Sequence, residues 1–320
     1  MATVETVLGP VEASDLGPTL AHEHLRFRDE ATVAQWPTRY DAESERTLAL
    51  EACADAKSRG IQTLFDPTVL SGGRDVTWMA DIAREAGMNV VASTGIYTYD
   101  HLAQYWVNRT PEQVAEHFID DITKGCQGTD IKAAFLKCAA DEPGINDNVE
   151  KLHRAVAIAH RETGAPIMAH SRPASQTGPK QVAIFEEEGV DLSRVVIAHC
   201  GDTDDVDYIE GLIDKGVYVG LDRYGLNLFL PTEQRNQTAA ELLRRGHTER
   251  LHFSQDFCVT IDYFPPEAAE AIEASGAIDN WSLTMIFDHA FPYLREQGVF
   301  DDDVEKTVLV DNPRRWLTGS

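Results

Sequence analysis

A chain of 320 residues that is 43% hydrophobic can bury a sizeable core, as one large domain or two smaller ones. Its 28 Lys and Arg stand against 53 Asp and Glu, a net charge of -25, which argues against nucleic acid or an anionic membrane as a partner. The scattered cysteines Cys53, Cys126, Cys138, Cys200 and Cys258 form no C-x-x-C pair, so neither a disulfide framework nor a structural zinc site is expected.

The acidic N-terminus MATVETVLGPVEAS has no apolar centre, and no apolar run nears the roughly 20 residues that span a bilayer. The expected setting is the cytoplasm. Residues 2–12 read as a short β hairpin. Apolar, β-branched runs then alternate with helix-length amphipathic stretches. Strands are expected at 19–25, 61–68, 89–97, 132–139, 166–171, 195–200, 217–224 and 251–257. Helices are expected at 42–59, 110–124, 149–163 and 181–188. Gly60, Gly164 and Gly189 stop three of them, and Pro111 opens another. Eight β/α units without a linker predict an α/β fold, a (β/α)8 TIM barrel with an N-terminal β hairpin, as one domain over 1–320. The stretch 257–282 is too long for a tight turn and is expected to be a functional loop above the eighth strand.

His22 and His24 flank Glu23 in TLAHEHL, so on a strand both imidazoles share one face while Glu23 points away. Two neighbouring imidazoles make half a metal site. Later strands end in Lys137, His170, His199 and Asp256. Taken singly, His170 or His199 reads as a hydrogen-bonded core histidine and Asp256 as a turn residue. Barrel active sites lie at the C-terminal strand ends, and six ligand-type residues gathered there point to a metal site.

Lys137 lies in AAFLKCAA, where burial would favour the neutral amine. Such an amine can add carbon dioxide to give a carbamate that bridges two metals. The rival reading is a Schiff-base lysine of a barrel aldolase, against which the four histidines argue. Cys138 and Cys200 follow Lys137 and His199, so alternation turns them into the core. Cys258 is in phase with Asp256 and is a candidate pocket residue.

GPTLAHEHL (17–25), STGIYTY (93–99), FLKCAAD (135–141), AHCGDTDD (198–205), VGLDRYGLNLFLP (219–231), SQDFCVTIDY (254–263) and NPRRWL (312–317) resemble the phosphotriesterase-related group of the amidohydrolase superfamily. YTY followed by GLDRYGLNLF resembles its phosphotriesterase-like lactonases. The resemblance implies a homodimer with two divalent metal ions per chain, Zn²⁺ first, with Co²⁺, Mn²⁺ or Fe²⁺ suited to the same ligands. One metal would take His22, His24 and Asp256, the other His170 and His199, with N6-carboxylated Lys137 and a hydroxide bridging both. Asp256 would also be the catalytic proton carrier, and Tyr97, Arg223, Cys258 and Tyr263 the substrate-binding residues. The implied activity is hydrolysis of lactones, N-acyl-homoserine lactones foremost, with phosphotriester hydrolysis as the alternative main activity. A metal-binding scaffold without catalysis is the reading from another class. Two departures stand out: Gln255 where several relatives have His, and Tyr263 where they have Trp.

Overall fold

The computed structural model describes residues 2–319; the end residues Met1 and Ser320 of the expected 1–320 domain lie outside the described residues. Strands β1 (Thr3–Thr6) and β2 (Gly9–Glu12) pair antiparallel as the expected hairpin. The next strands are β3 (Thr19–Leu20), β4 (Glu23–His24), β5 (Thr63–Asp66) and β6 (Asn89–Gly95). They are followed by β7 (Phe135–Ala139), β8 (Ile167–His170), β9 (Val195–Ala198) and β10 (Tyr218–Leu221). β11 (Leu251–Phe253) and β12 (Phe257–Cys258) complete the set. Strands β3 and β5 to β11 form one parallel eight-stranded sheet in chain order. At the mouth, β4 and β12 pair in parallel and join the first and last staves. This is the (β/α)8 barrel.

Each expected strand is present but shorter, and two are split. The run 19–25 breaks at Ala21 and His22, and 251–257 breaks after Phe253. Where the chain leaves the barrel it abandons extended geometry, with φ of 66° at His199 and 51° at Asp256. Local apolar patterning cannot reveal such bends, because the residues beyond the ladder are buried too.

Side-chain alternation divides the interior. Phe65, Phe135, Met168, Val196, Tyr218 and Trp316 fill the lower barrel, while Leu64, Leu136, Ile167 and Val219 face the helices. Trp316, fully buried, packs its ring against Phe65 and Phe135 and donates its indole N–H to the Arg194 carbonyl at 3.0 Å. Truncating such an aromatic to alanine typically costs ~3–5 kcal/mol. Cys138 and Cys200 are buried in the outer layer, as alternation required.

Helix ends follow their local chemistry. Pro111–Thr123 starts on a Thr110–Gln113 capping box and buries Val114, Ala115 and Phe118. Asp147–Thr163 ends on left-handed Gly164. The helix expected at 181–188 begins earlier, at Thr177–Glu187, because Pro179 is tolerated in a first turn. Val76–Ala86, Val206–Ile213 and Thr232–Arg244 are helices beyond those expected. The stretch 257–282 holds β12 and the helix Pro266–Ala274, so it is a structured cover rather than a plain loop. Among the described residues, no helix is long and apolar enough to cross a membrane.

His153 shows how burial sets acid sensitivity. Its Nδ1 lies 2.7 Å from the Val149 carbonyl and its Nε2 2.9 Å from the Gln181 amide nitrogen, a pattern suited to neutral imidazole. Burial lowers its pKa to about 4. The unfolded chain protonates near pH 6.5 and the folded chain does not, so this stabilisation is complete above 6.5 and lost as the pH falls towards 4. It amounts to roughly 3 kcal/mol at most. Urea unfolding at pH 7 and pH 5 should show lower stability at pH 5, and His153→Asn should make that dependence shallower, the other buried histidines such as His22 retaining their share.

Candidate metal centre and active site

Backbone geometry delivers all six expected ligand residues to the barrel mouth. His22 follows β3, His24 ends β4, Lys137 lies within β7, His170 ends β8, and His199 and Asp256 sit just beyond β9 and β11. All six are buried, Asp256 the least at 9% exposure. Asp256 Oδ1 lies 3.3 Å from His22 Nε2 and 3.2 Å from His24 Nε2. Its Oδ2 lies 2.8 Å from Arg223 Nε. The Lys137 amine is 3.1 Å from His22 Nε2, and the His170 and His199 rings are 4.4 Å apart.

Each imidazole is fixed through one ring nitrogen. His22 Nδ1 and His199 Nδ1 both lie 2.9 Å from Asp222, each against a different carboxylate oxygen. His24 Nδ1 meets Thr68 Oγ1 at 2.6 Å, and His170 Nε2 meets Asp141 Oδ2 at 2.7 Å. A nitrogen that donates to a carboxylate leaves the other with its lone pair free. The ring nitrogens turned towards the centre are Nε2 of His22, His24 and His199 and Nδ1 of His170. Gly220 makes room for Asp222: a Cβ there would stand 2.2 Å from Oδ2.

Burial and neighbouring charge tune these groups. Burial, with Lys137 beside it, pushes the His22 pKa down to about 4, and burial lowers His170 and His199 as well. All three imidazoles are in the neutral, metal-binding form at neutral pH. Burial brings Lys137 down to about 8, within reach of the neutral amine that adds carbon dioxide. Burial alone would raise Asp256, but His199, His22 and Arg223 outweigh it and hold the carboxyl well below its usual range.

This donor set fits a divalent metal. His199 Nε2 is buried without a hydrogen-bond partner. One ligand atom each from His22, His199 and Asp256 all lie within 4.8 Å of one another. Imidazole nitrogens gathered with a carboxylate make mixed N/O ligation of the kind transition metals prefer.

Above the ligands opens a cavity of about 250 Å³. Its walls include Tyr97, Leu226, Phe229, Cys258, Tyr263 and Phe264. Tyr97 Oη lies 3.4 Å from His170 Nδ1 and hydrogen-bonds Tyr99 Oη. Arg223 does more than the sequence suggested. Besides Asp256 it pairs with Asp202 at 2.9 Å, and its guanidinium lies 4.6 Å from the Phe229 ring centroid, so it joins the loops after β9, β10 and β11. Tyr263 is half exposed at the rim.

The phosphotriesterase family model matches residues 2–317. The chain belongs to that family. It is 43% identical over 308 residues to an aryldialkylphosphatase of Saccharolobus solfataricus, covering 96% of this chain and 97% of that one. It is 39% identical over 323 residues to a phosphotriesterase homology protein of Mycobacterium tuberculosis, covering 98% and 97%. A solved phosphotriesterase structure from Mycobacterium tuberculosis is similar with a TM-score of 0.92 at 38% identity, covering 99% of this chain and 98% of that one. Membership makes the chain a hydrolase of a family that works with a binuclear metal centre.

Asp222, Asp141 and Thr68, which fix the imidazoles, are not among the residues that sequence patterning singles out. A signal existed, since FDPT, AAD and GLD each place a polar residue at a strand end. The same short patterns also serve as ordinary caps and turns.

Proposed function

We propose that this hydrolase opens lactone rings, with N-acyl-homoserine lactones as its main substrates. The observation that carries this reading is a polar floor of histidines, Lys137 and Asp256 beneath long apolar walls that include Leu226, Leu228, Phe229 and Ile261. An acyl chain lying along those walls gains about 0.8 kcal/mol for each methylene removed from water. A second reading is phosphotriester hydrolysis as the main activity. The similarity to the aryldialkylphosphatase of Saccharolobus solfataricus favours it, and apolar walls also suit aryl and alkyl groups.

Two divalent ions would be held as the resemblance implies, by His22, His24 and Asp256 and by His170 and His199, with carboxylated Lys137 between them. When bound they would lower the pKa of a water molecule and polarise the bond under attack. Asp256 accepts the proton of the attacking water and delivers it to the alkoxide as the ring C–O bond breaks, leaving a hydroxy acid. Arg223 fixes Asp256 through Oδ2, which leaves Oδ1 facing the histidines. Burial raises the Tyr97 pKa well above its ordinary value, so its hydroxyl keeps its proton and can donate to the lactone oxygens. Tyr263 and Cys258 shape the acyl channel. A cytoplasmic homodimer with one domain per chain completes the proposal, and sedimentation velocity tests the dimer.

The catalytic test is a pH-indicator assay of metal-replete protein across lactones of rising acyl length and one phosphotriester. The expected kcat/KM rises a few-fold per methylene until the channel is full. Tyr97→Phe should damage lactone turnover far more than phosphotriester turnover. A faster phosphotriester, together with lactone turnover untouched by Tyr97→Phe, would hand the main activity to the second reading.

A further inference from the structure

We propose that Glu23, the residue between the two histidines, is a positioning residue that holds Asp256 at the metal bound by His22, His24 and Asp256. The inference rests on the metal-centre reading above. On sequence grounds Glu23 simply pointed away from the site. It does point away, and it is 1% exposed, which is costly for a carboxylate unless donors meet it.

Its donors all come from the segment that carries Asp256. Glu23 Oε1 accepts from the Ser254 hydroxyl at 2.7 Å and from the Gln255 N–H at 2.9 Å, while Oε2 accepts from the Phe257 N–H at 2.8 Å. Asp256 sits inside this bracket, in the three-residue gap between β11 and β12 where no sheet ladder supports it. Its φ of 51° is left-handed, which a non-glycine residue adopts only where its surroundings over-determine it. Its own N–H donates to the His22 carbonyl at 3.0 Å, and the His22 N–H donates to Ser254 Oγ at the same distance. Glu23 thus ties the His22–His24 segment and the Asp256 segment into one unit. Without it, the N–H groups of Gln255 and Phe257 on either side of Asp256 would lose their acceptor, and the bend would relax.

Glu23→Gln tests this, because it keeps the size but replaces one acceptor oxygen with an NH₂ donor. Two readouts apply. In metal-free protein, hydrogen exchange over 254–258 should accelerate at least tenfold while β6 to β9 stay protected. In a Co²⁺ titration followed by absorbance, one of the two metal equivalents should bind about 10–100-fold more weakly and the other should be unchanged. Equal weakening of both, or wild-type affinity for both, overturns the proposal. If Glu23→Gln fails to fold, Ser254→Ala serves instead: several-fold weakening of the same single equivalent supports the proposal, and no change overturns it. Wild-type protein binding fewer than two metals would sink the metal-centre reading itself. Two tight metals in both wild type and variant would sink only the role of Glu23.

Discussion

Asp256→Asn should lower turnover of the best lactone by roughly 10²-fold or more while the barrel stays folded. Asparagine keeps the size of the side chain and one oxygen, but it cannot take up a proton and give it back. The wild-type carboxyl suits the task because its neighbours keep it ionised in spite of burial. The variant should fold, since Arg223 retains its ion pair with Asp202 at 2.9 Å and Asp256 lies outside the sheet ladder. Steady-state kinetics on metal-loaded variant, with circular dichroism as the folding check, decides the matter. Wild-type kcat in a protein holding both metals would rule out proton transfer through Asp256.

Removing the lysine should be more drastic. Lys137→Ala is expected to leave at most one metal per chain and to abolish turnover, because the amine within 3.1 Å of His22 Nε2 is the only lysine lining the cavity among the described residues. A small carboxylic acid added to the medium should restore part of both, as it supplies the two oxygens that a carbamate would provide. Elemental analysis with and without the added acid reads the effect, and a ¹³C-bicarbonate label should mark the wild-type amine alone. A full metal complement in Lys137→Ala would refute the bridging role. A lysine of the aldolase type would instead be trapped by borohydride in the presence of substrate, a result that would displace the hydrolase mechanism.

The two predictions lean on parts of the molecule that were unequally readable from residue order. Short apolar runs alternating with amphipathic stretches specify parallel strands covered by helices, and eight of them in succession specify the barrel. Residue type at the strand ends specifies the six ligand candidates, because a parallel barrel carries all its C-terminal strand ends to one mouth. Alternation was enough to place Cys138 and Cys200 in the core. These properties are local, with periods of two or about 3.6 residues, and survive in a one-dimensional reading.

The fixing of those ligands is not local. Asp222 binds His22 across 200 residues and His199 across 23, and Glu23 gathers donors more than 230 residues away. No periodicity records such a pairing, and a lone carboxylate near a strand end reads equally well as a cap. The bends at His199 and Asp256 were hidden for the same reason: the Asp222 acceptor of the His199 N–H and the Glu23 acceptor beside Asp256 come from distant parts of the chain and meet them only once the barrel has closed.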